Sequence, residues 1–313
     1  MLTRETMQGL FVLPPTPFDE KGNFLESAYR ENLRVLMQFS VDALVSPGSN
    51  GEWWSMSDDD RRRQMEVLHE ECNGKVLTAV CGSSTYTEDS IFWTRTAEEI
   101  GIDAAMNVPP FYYPLTDKEL RTYFHQLAEA CPDIGLIVYN FPLVAQRLSV
   151  ELMTQLAEEL PTLCGSKESH WDFNVWLRLH RESGLAVFSA YERLWFTALF
   201  RQGAKGMFST LAASFPTLVT QLHSACCGQD WERAEELESE VWRLWTWLDQ
   251  CDYLKGYNPI ARNKAMVNAS GWLRVGSCRP PLVSVPDELI NRLRGDLESF
   301  LGQWVSPATS AIV

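Results

Sequence analysis

Eight short apolar runs of β type recur along the 313-residue chain, and helical patterns fill the intervals between them. The runs cover 9–13, 41–46, 76–81, 103–108, 135–140, 162–166, 185–189 and 206–210. Their starts lie 21 to 35 residues apart, room for one strand, one helix and two short loops. Helix starts are signalled by Ser57 before Asp58, Asp59 and Asp60, by Thr87 before Glu88, and by Thr116 with Glu119 as a capping box. Eight such units predict a closed (β/α)8 TIM barrel. An open doubly wound sheet more often has five or six strands and a glycine-rich nucleotide loop after the first, and no G-x-G-x-x-G or Walker loop follows any run. After Gly228 the β runs cease. Leu237, Val241, Leu244 and Trp247 space out one helical face over 231–247, and a further helix is expected over 287–301. The predicted organisation is therefore a catalytic barrel over 1–228 and a C-terminal helical extension over 229–313, with a turn-rich stretch at Cys278, Arg279, Pro280 and Pro281.

Composition narrows the function classes. Apolar residues make up 45% of the chain, enough for a core without disulfide or metal staples. Lys and Arg total 27 against 41 Asp and Glu, and a net charge of -14 repels a phosphate backbone, so no nucleic acid partner is expected. No stretch reaches the roughly 18 apolar residues of a membrane span, and residues 1–12 lack the apolar core of a signal peptide. Eight scattered cysteines without a Cys-x-x-Cys point to a reducing cytoplasm. His69, His125, His170, His180 and His223 show no metal-binding spacing, so no metal is expected, and no G-x-S-x-G elbow supports a serine hydrolase.

In a barrel of this kind reactive side chains gather at the C-terminal ends of the strands. Four places qualify: Gly48-Ser49-Asn50-Gly51-Glu52, Pro109-Pro110-Phe111-Tyr112-Tyr113, Tyr139-Asn140-Phe141-Pro142 and Lys167-Glu168. A lysine at the barrel mouth must neutralise or find partners, and a desolvated amine condenses with a ketone to give a Schiff base. The alternative is a lysine that snorkels to solvent or pairs with Glu168. Tyr139, one strand away, can shuttle protons, or it is a core aromatic with its hydroxyl on a backbone carbonyl. The glycines around Ser49 and Asn50 suit either a carboxylate-binding nest or an ordinary β-α turn. His170 either touches substrate or is a surface histidine at a helix start. Trp53, Trp54, Phe111, Trp171 and Phe208 fall near strand ends and are candidate pocket walls, whereas Trp231, Trp242, Trp245 and Trp247 are assigned to helix packing.

The pattern G-S/T-x-G-E, a P-x-Y-Y-type loop, Y-N-x-P and a strand ending in K-E resembles the dihydrodipicolinate synthase and N-acetylneuraminate lyase family. The match runs from Pro15-Thr16-Pro17-Phe18 to Gly203-Ala204-Lys205-Gly206, with Tyr139 and Lys167 28 residues apart. This resemblance implies a class I lyase without metal or other cofactor. Lys167 would form the Schiff base with a 2-oxo acid, pyruvate above all, Tyr139 would relay protons, and Ser49 and Asn50 would hold the carboxylate. It also implies a homotetramer built as a dimer of dimers, in which Tyr112 reaches the neighbouring subunit's site. Synthases acting on aspartate semialdehyde usually carry an arginine where this chain has Val144, with Arg147 three positions on, which counts against that substrate. Ser49 matches the sialate lyases, and Asn50 departs from both groups.

Towards the C-terminus, Tyr257-Asn258, Gly271-Trp272-Leu273 and Gly276-Ser277-Cys278-Arg279-Pro280-Pro281 resemble hydratase-aldolases, which release an aromatic aldehyde and pyruvate. There the residue matching Asn258 lies near substrate and positions water. Those enzymes have tryptophan in place of Phe208 and a different strand-five motif, and the C-terminal motif reads equally as packing. The expected function is a Schiff-base lyase or aldolase joining or cleaving a 2-oxo acid and an aldehyde, with Lys167, Tyr139 and Tyr112 catalytic and Ser49, Asn50, Phe208, Asn258 and Trp53 binding substrate. The alternatives are a 2-oxo acid dehydratase or deaminase using the same lysine, and an inactive 2-oxo acid binding paralogue.

Overall fold

In the computed structural model, residues 1–190, 192 and 196–306 are described. The last seven residues assigned to the C-terminal extension, 307–313, lie outside them. Each of the eight sequence runs forms a strand. β1 (Gly9–Val12) is followed by α1 (Glu26–Leu36), β2 (Ala43–Val45) by α2 (Asp58–Cys72), β3 (Leu77–Cys81) by α3 (Thr87–Ile100) and β4 (Ala104–Asn107) by α4 (Asp117–Ala130). Then β5 (Gly135–Asn140) precedes α5 (Val150–Glu159), β6 (Leu163–Glu168) precedes α6 (Phe173–Glu182), β7 (Ala186–Ser189) precedes α7 (Phe196–Arg201) and β8 (Gly206–Ser209) precedes α8 (Pro216–Cys227). The strands close in sequence order into a (β/α)8 barrel. Closure is made by β1, whose Gly9 N–H donates to the Lys205 carbonyl at 2.8 Å while its Leu10 carbonyl accepts from Asp42 N–H at 3.0 Å.

Chain contacts fall into two units. The first comprises 1–11, 42–45 and 72–208 and carries all but the ends of the strands together with α3 to α7. Its centre is aromatic: Phe11 lies with its ring centroid 5.2 Å from Phe208 and 5.4 Å from Phe188, both edge-on. β1 and β7 are not neighbours, so the Phe11–Phe188 contact passes through the barrel interior. Gly206 makes room for it, because a Cβ there would stand 2.4 Å from the Phe188 ring. Among the helices of this unit, α4 begins at Thr116 with the full capping box, and Ser149 and Asp172 cap α5 and α6 through their side chains.

The second unit comprises, of the described residues, 12–41, 46–71 and 209–306. It contains α1, nearly all of α2, and α8 with the C-terminal helices α9 (Trp231–Gln250), α10 (Pro259–Ser270) and α11 (Asp287–Leu301). α9 packs on α8 and α10 on α11. The buried face of α9 runs through Ala234, Leu237, Val241, Leu244 and Leu248. Leu248 rather than Trp247 completes it, because the step from Leu244 is four residues, and Trp247 instead stacks at the side on Phe300. Trp242 is exposed, which corrects its assignment to helix packing: it falls on the opposite face of the same helix. Among the described residues no helix is long and apolar enough to cross a membrane.

Candidate active site

β5 and β6 pair in parallel with a slip. Leu136 faces Leu163, yet Ile137 already faces Gly165, so β6 carries one extra residue. A bulge of this kind re-aims every side chain beyond it. Here it brings Lys167 opposite Tyr139. Gly165 is required at the slip, since a Cβ would lie 2.4 Å from both the Ala186 carbonyl oxygen and Met7 Sδ. The extra residue, Cys164, donates its thiol to the Leu136 carbonyl at 3.1 Å, and burial pushes that thiol up to about 12.

Lys167 also faces Phe188 across β7, which puts Tyr139, Lys167 and Phe188 on one face of the sheet. That face is the interior, because the Lys167 Nζ reaches to 5.2 Å from the Phe208 ring centroid, two strands away. Lys167 is 3% exposed, and its nitrogen lies over the Tyr139 ring, 4.0 Å from the centroid. Phe141 stacks on Tyr139 with centroids 5.3 Å apart, nearly parallel. The lysine therefore neither snorkels to solvent nor pairs with Glu168. Among the described residues it makes no ion pair, and its amine is placed beside a phenol in an aromatic chamber.

Asn140 and Glu168 are also register partners, and strand alternation turns them to the opposite face. Asn140 Nδ2 donates to both Glu168 carboxylate oxygens at 3.1 Å. His170 Nε2 lies 2.8 Å from Glu168 Oε2, with the imidazole side chain only 6% exposed. The reading of His170 as a surface histidine is thus corrected: the chain bends after β6 and folds the ring back onto Glu168 before α6 begins.

Ser49 and Asn50 are half-buried in a 3-10 turn (Ser49–Gly51) soon after β2, and the turn ends on Glu52 in the left-handed region at φ 59°. Trp53 opens the next turn, with the Arg61 guanidinium 4.7 Å above its ring. Asn258 is exposed, and its oxygen accepts from Ile260 N–H at 2.9 Å as the N-cap of α10, with Pro259 at the first helical position; capping accounts for this residue without a substrate. Tyr112 stands 89% exposed in the loop after β4. Val144 is exposed in the loop after β5, while Arg147 is held 3.7 Å from Asp172. Trp54 and Trp171 are exposed, and Phe208 is fully buried in the barrel interior. Among the described residues no group of three or more His, Cys, Asp or Glu is arranged to hold a metal ion.

Comparison with known proteins bears on the family and the fold. Residues 6–299 match the model of the dihydrodipicolinate synthetase family. The 4-hydroxy-tetrahydrodipicolinate synthase of Methanopyrus kandleri is 30% identical over 300 residues, 94% of this chain and 96% of its own. The solved dihydrodipicolinate synthase of Aquifex aeolicus superposes with a TM-score of 0.85 at 25% identity, covering 96% of this chain and 100% of that one. A sialic acid aldolase of Ruminococcus gnavus, solved as a catalytic lysine mutant, shares the fold with a TM-score of 0.85 at 20% identity over 97% of this chain and 100% of that one. The chain belongs to the dihydrodipicolinate synthetase family and is a lyase of that family's carbon–carbon bond-forming and bond-cleaving type.

Proposed function

We propose that this chain is a Schiff-base lyase that makes or breaks the bond between a 2-oxo acid, pyruvate in the simplest case, and an aldehyde. The observation that carries the reading is the buried Lys167 nitrogen over the face of Tyr139. In the reaction the neutral amine adds to C2 of the 2-oxo acid, and the carbinolamine loses water as the imine forms. Tyr139 moves the protons of those steps. Loss of a proton from C3 gives an enamine whose C3 attacks the aldehyde carbon. In the reverse direction the same bond breaks, the aldehyde leaves and the enamine is protonated. Water then hydrolyses the imine and frees Lys167. No cofactor enters this scheme, because the lysine itself is the electron sink.

Ser49 and Asn50 are assigned to the 2-oxo acid carboxylate through the family pattern they sit in. Val144 and the neighbouring exposed Leu143 present apolar surface after β5, and Arg147 is tied to Asp172. That composition supports an aldehyde with an apolar or aromatic substituent over one with a carboxylate. Tyr112 and Tyr113 are both exposed after β4, as residues that complete the site of a second copy would be, and a dimer of dimers is the assembly proposed.

Treatment with pyruvate and sodium borohydride, followed by peptide mass analysis, is expected to show a reduced pyruvyl adduct on Lys167 and none in Lys167→Ala. Absence of the adduct on the unmodified protein overturns the mechanism. Product analysis with aryl-substituted 2-oxo acids then separates aldehyde release from dehydration or deamination.

A further inference from the structure

We propose that His170 is a positioning residue for this chemistry, fixing the Glu168 carboxylate and through it Asn140, so that the ends of β5 and β6 hold Tyr139 and Lys167 against each other. The inference rests on the Schiff-base reading of Lys167. It starts from a buried charge. Glu168 is 1% exposed, and a carboxylate so removed from water is costly unless its oxygens are supplied with donors. Among the described residues no lysine or arginine pairs with it. Among the described residues its side-chain donors are Asn140 Nδ2, bridging both oxygens, and His170 Nε2, the shortest of the three contacts at 2.8 Å.

The direction of that bond follows from the other ring nitrogen. Asp172 N–H donates to His170 Nδ1 at 3.1 Å, so Nδ1 accepts and Nε2 carries the hydrogen given to Glu168. Both nitrogens are thereby committed, and the ring has none left for a substrate or a proton relay. The remaining contacts spread the constraint. Asn140 Oδ1 accepts from Leu148 N–H at 3.0 Å, which ties down the loop after β5. Asp172 caps α6 through Val175 N–H and faces Arg147 across 3.7 Å. A ring of contacts thus runs from the end of β5 through its loop to Arg147, across to Asp172 and His170, and back through Glu168 to Asn140. It braces two strand ends whose opposite face carries the reacting groups, and misplacement of reacting groups by about 1 Å can cost about 10²-fold in rate.

Three variants test this. His170→Asn keeps an acceptor for Asp172 N–H and withdraws the donor from Glu168. His170→Gln keeps a donor in reach of Glu168, and His170→Ala removes both. The expected result is a kcat lowered about 10- to 100-fold in the Asn and Ala variants, with KM for the 2-oxo acid nearly unchanged and kcat largely restored in the Gln variant. A variant with lowered thermal stability but unchanged kcat would show a structural histidine and overturn the proposal. So would a raised KM at constant kcat, the mark of a substrate contact. Failure of the unmodified protein to trap pyruvate on Lys167 is a separate result, which removes the Schiff-base reading and this proposal with it. Should His170→Ala not fold, the Asn and Gln pair still decides the matter.

Discussion

Lys167 and Tyr139, the pair proposed to react, are set apart by what each touches. The Tyr139 ring touches both the Lys167 nitrogen and the Phe141 ring, so its packing and its hydroxyl can be separated by experiment. Tyr139→Phe keeps the ring, the stack and the aromatic wall and deletes only the oxygen. Its kcat is expected to fall about 10²- to 10⁴-fold, the usual contribution of a positioned general acid or base. Borohydride trapping of pyruvate on Lys167 should persist, more slowly. Unchanged kcat would show that the hydroxyl moves no proton in the rate-limiting step. At this scale the meeting of the candidate residues was legible where chemistry and position coincide: an amine near the end of one strand and a phenol near the end of the strand before it. The slip at Cys164 was not, because a bulge leaves no mark in a run of five residues. Nor was the partnership of Asn140, Glu168 and His170. It follows from alternation once the register is known, but the bend that returns His170 to the strand end is set by tertiary packing.

Among the elements, the segment before α11 has a mechanical part to play. Glu52 is fully buried, and its carboxylate accepts from Arg279 N–H at 2.7 Å and pairs with Lys264 of α10 at 2.6 Å. The same lysine donates to the Ser277 carbonyl at 2.6 Å and lies 4.5 Å from the Phe18 ring centroid. The Arg279 guanidinium adds bonds to the Gly22 carbonyl at 2.8 Å and to Asp60 at 2.5 Å. The Gly276-to-Pro281 motif therefore clamps the turn that carries Ser49 and Asn50, together with the start of α2. Burial pushes the Lys264 ammonium down and Glu52 opposes the shift, so each charge depends on the other. Lys264→Met leaves Glu52 buried and unpaired and is expected to lower stability by about 3–5 kcal/mol, whereas Glu52→Gln with Lys264→Met should recover much of the loss. Urea unfolding of the two variants checks this; equal losses would mean that packing rather than charge dominates. Strands and the caps at Ser57 and Thr116 were readable in the sequence because short apolar runs and Ser or Thr at helix starts are local signals, whereas Thr87 opens α3 without capping it, the N-cap there being Tyr86 with no side-chain bond. The clamp joins residues more than two hundred positions apart, and no local pattern announces it.

For the molecule as a whole, the excess of 41 acidic over 27 basic side chains is organised around arginines. Glu26 lies against Arg63 and Arg30, whose hydrogen bonds hold its carboxyl at about 2. Arg121 and His125 do the same for Glu159, again to about 2. Glu70 and Glu71 are lowered by Arg30 and Arg34. A carboxylate depressed in the folded state adds stability that is fully present above its unfolded value near 4.5. That stability is lost as pH falls through the folded value, because the unfolded chain then binds more protons. His180 acts with the same sign and earlier, since burial lowers it from 6.5 and the unfolded chain takes its proton first. Stability should therefore decline gently below about pH 6.5 and steeply between about pH 4.5 and 2. Most of these pairs are partly exposed, so molar salt should flatten the steep limb by screening the arginines from the carboxylates. Urea midpoints measured from pH 7 to pH 3 at low and high salt test the argument. A midpoint that rises on acidification would mean that relief of repulsion among the net -14 charges outweighs the loss of the arginine pairs.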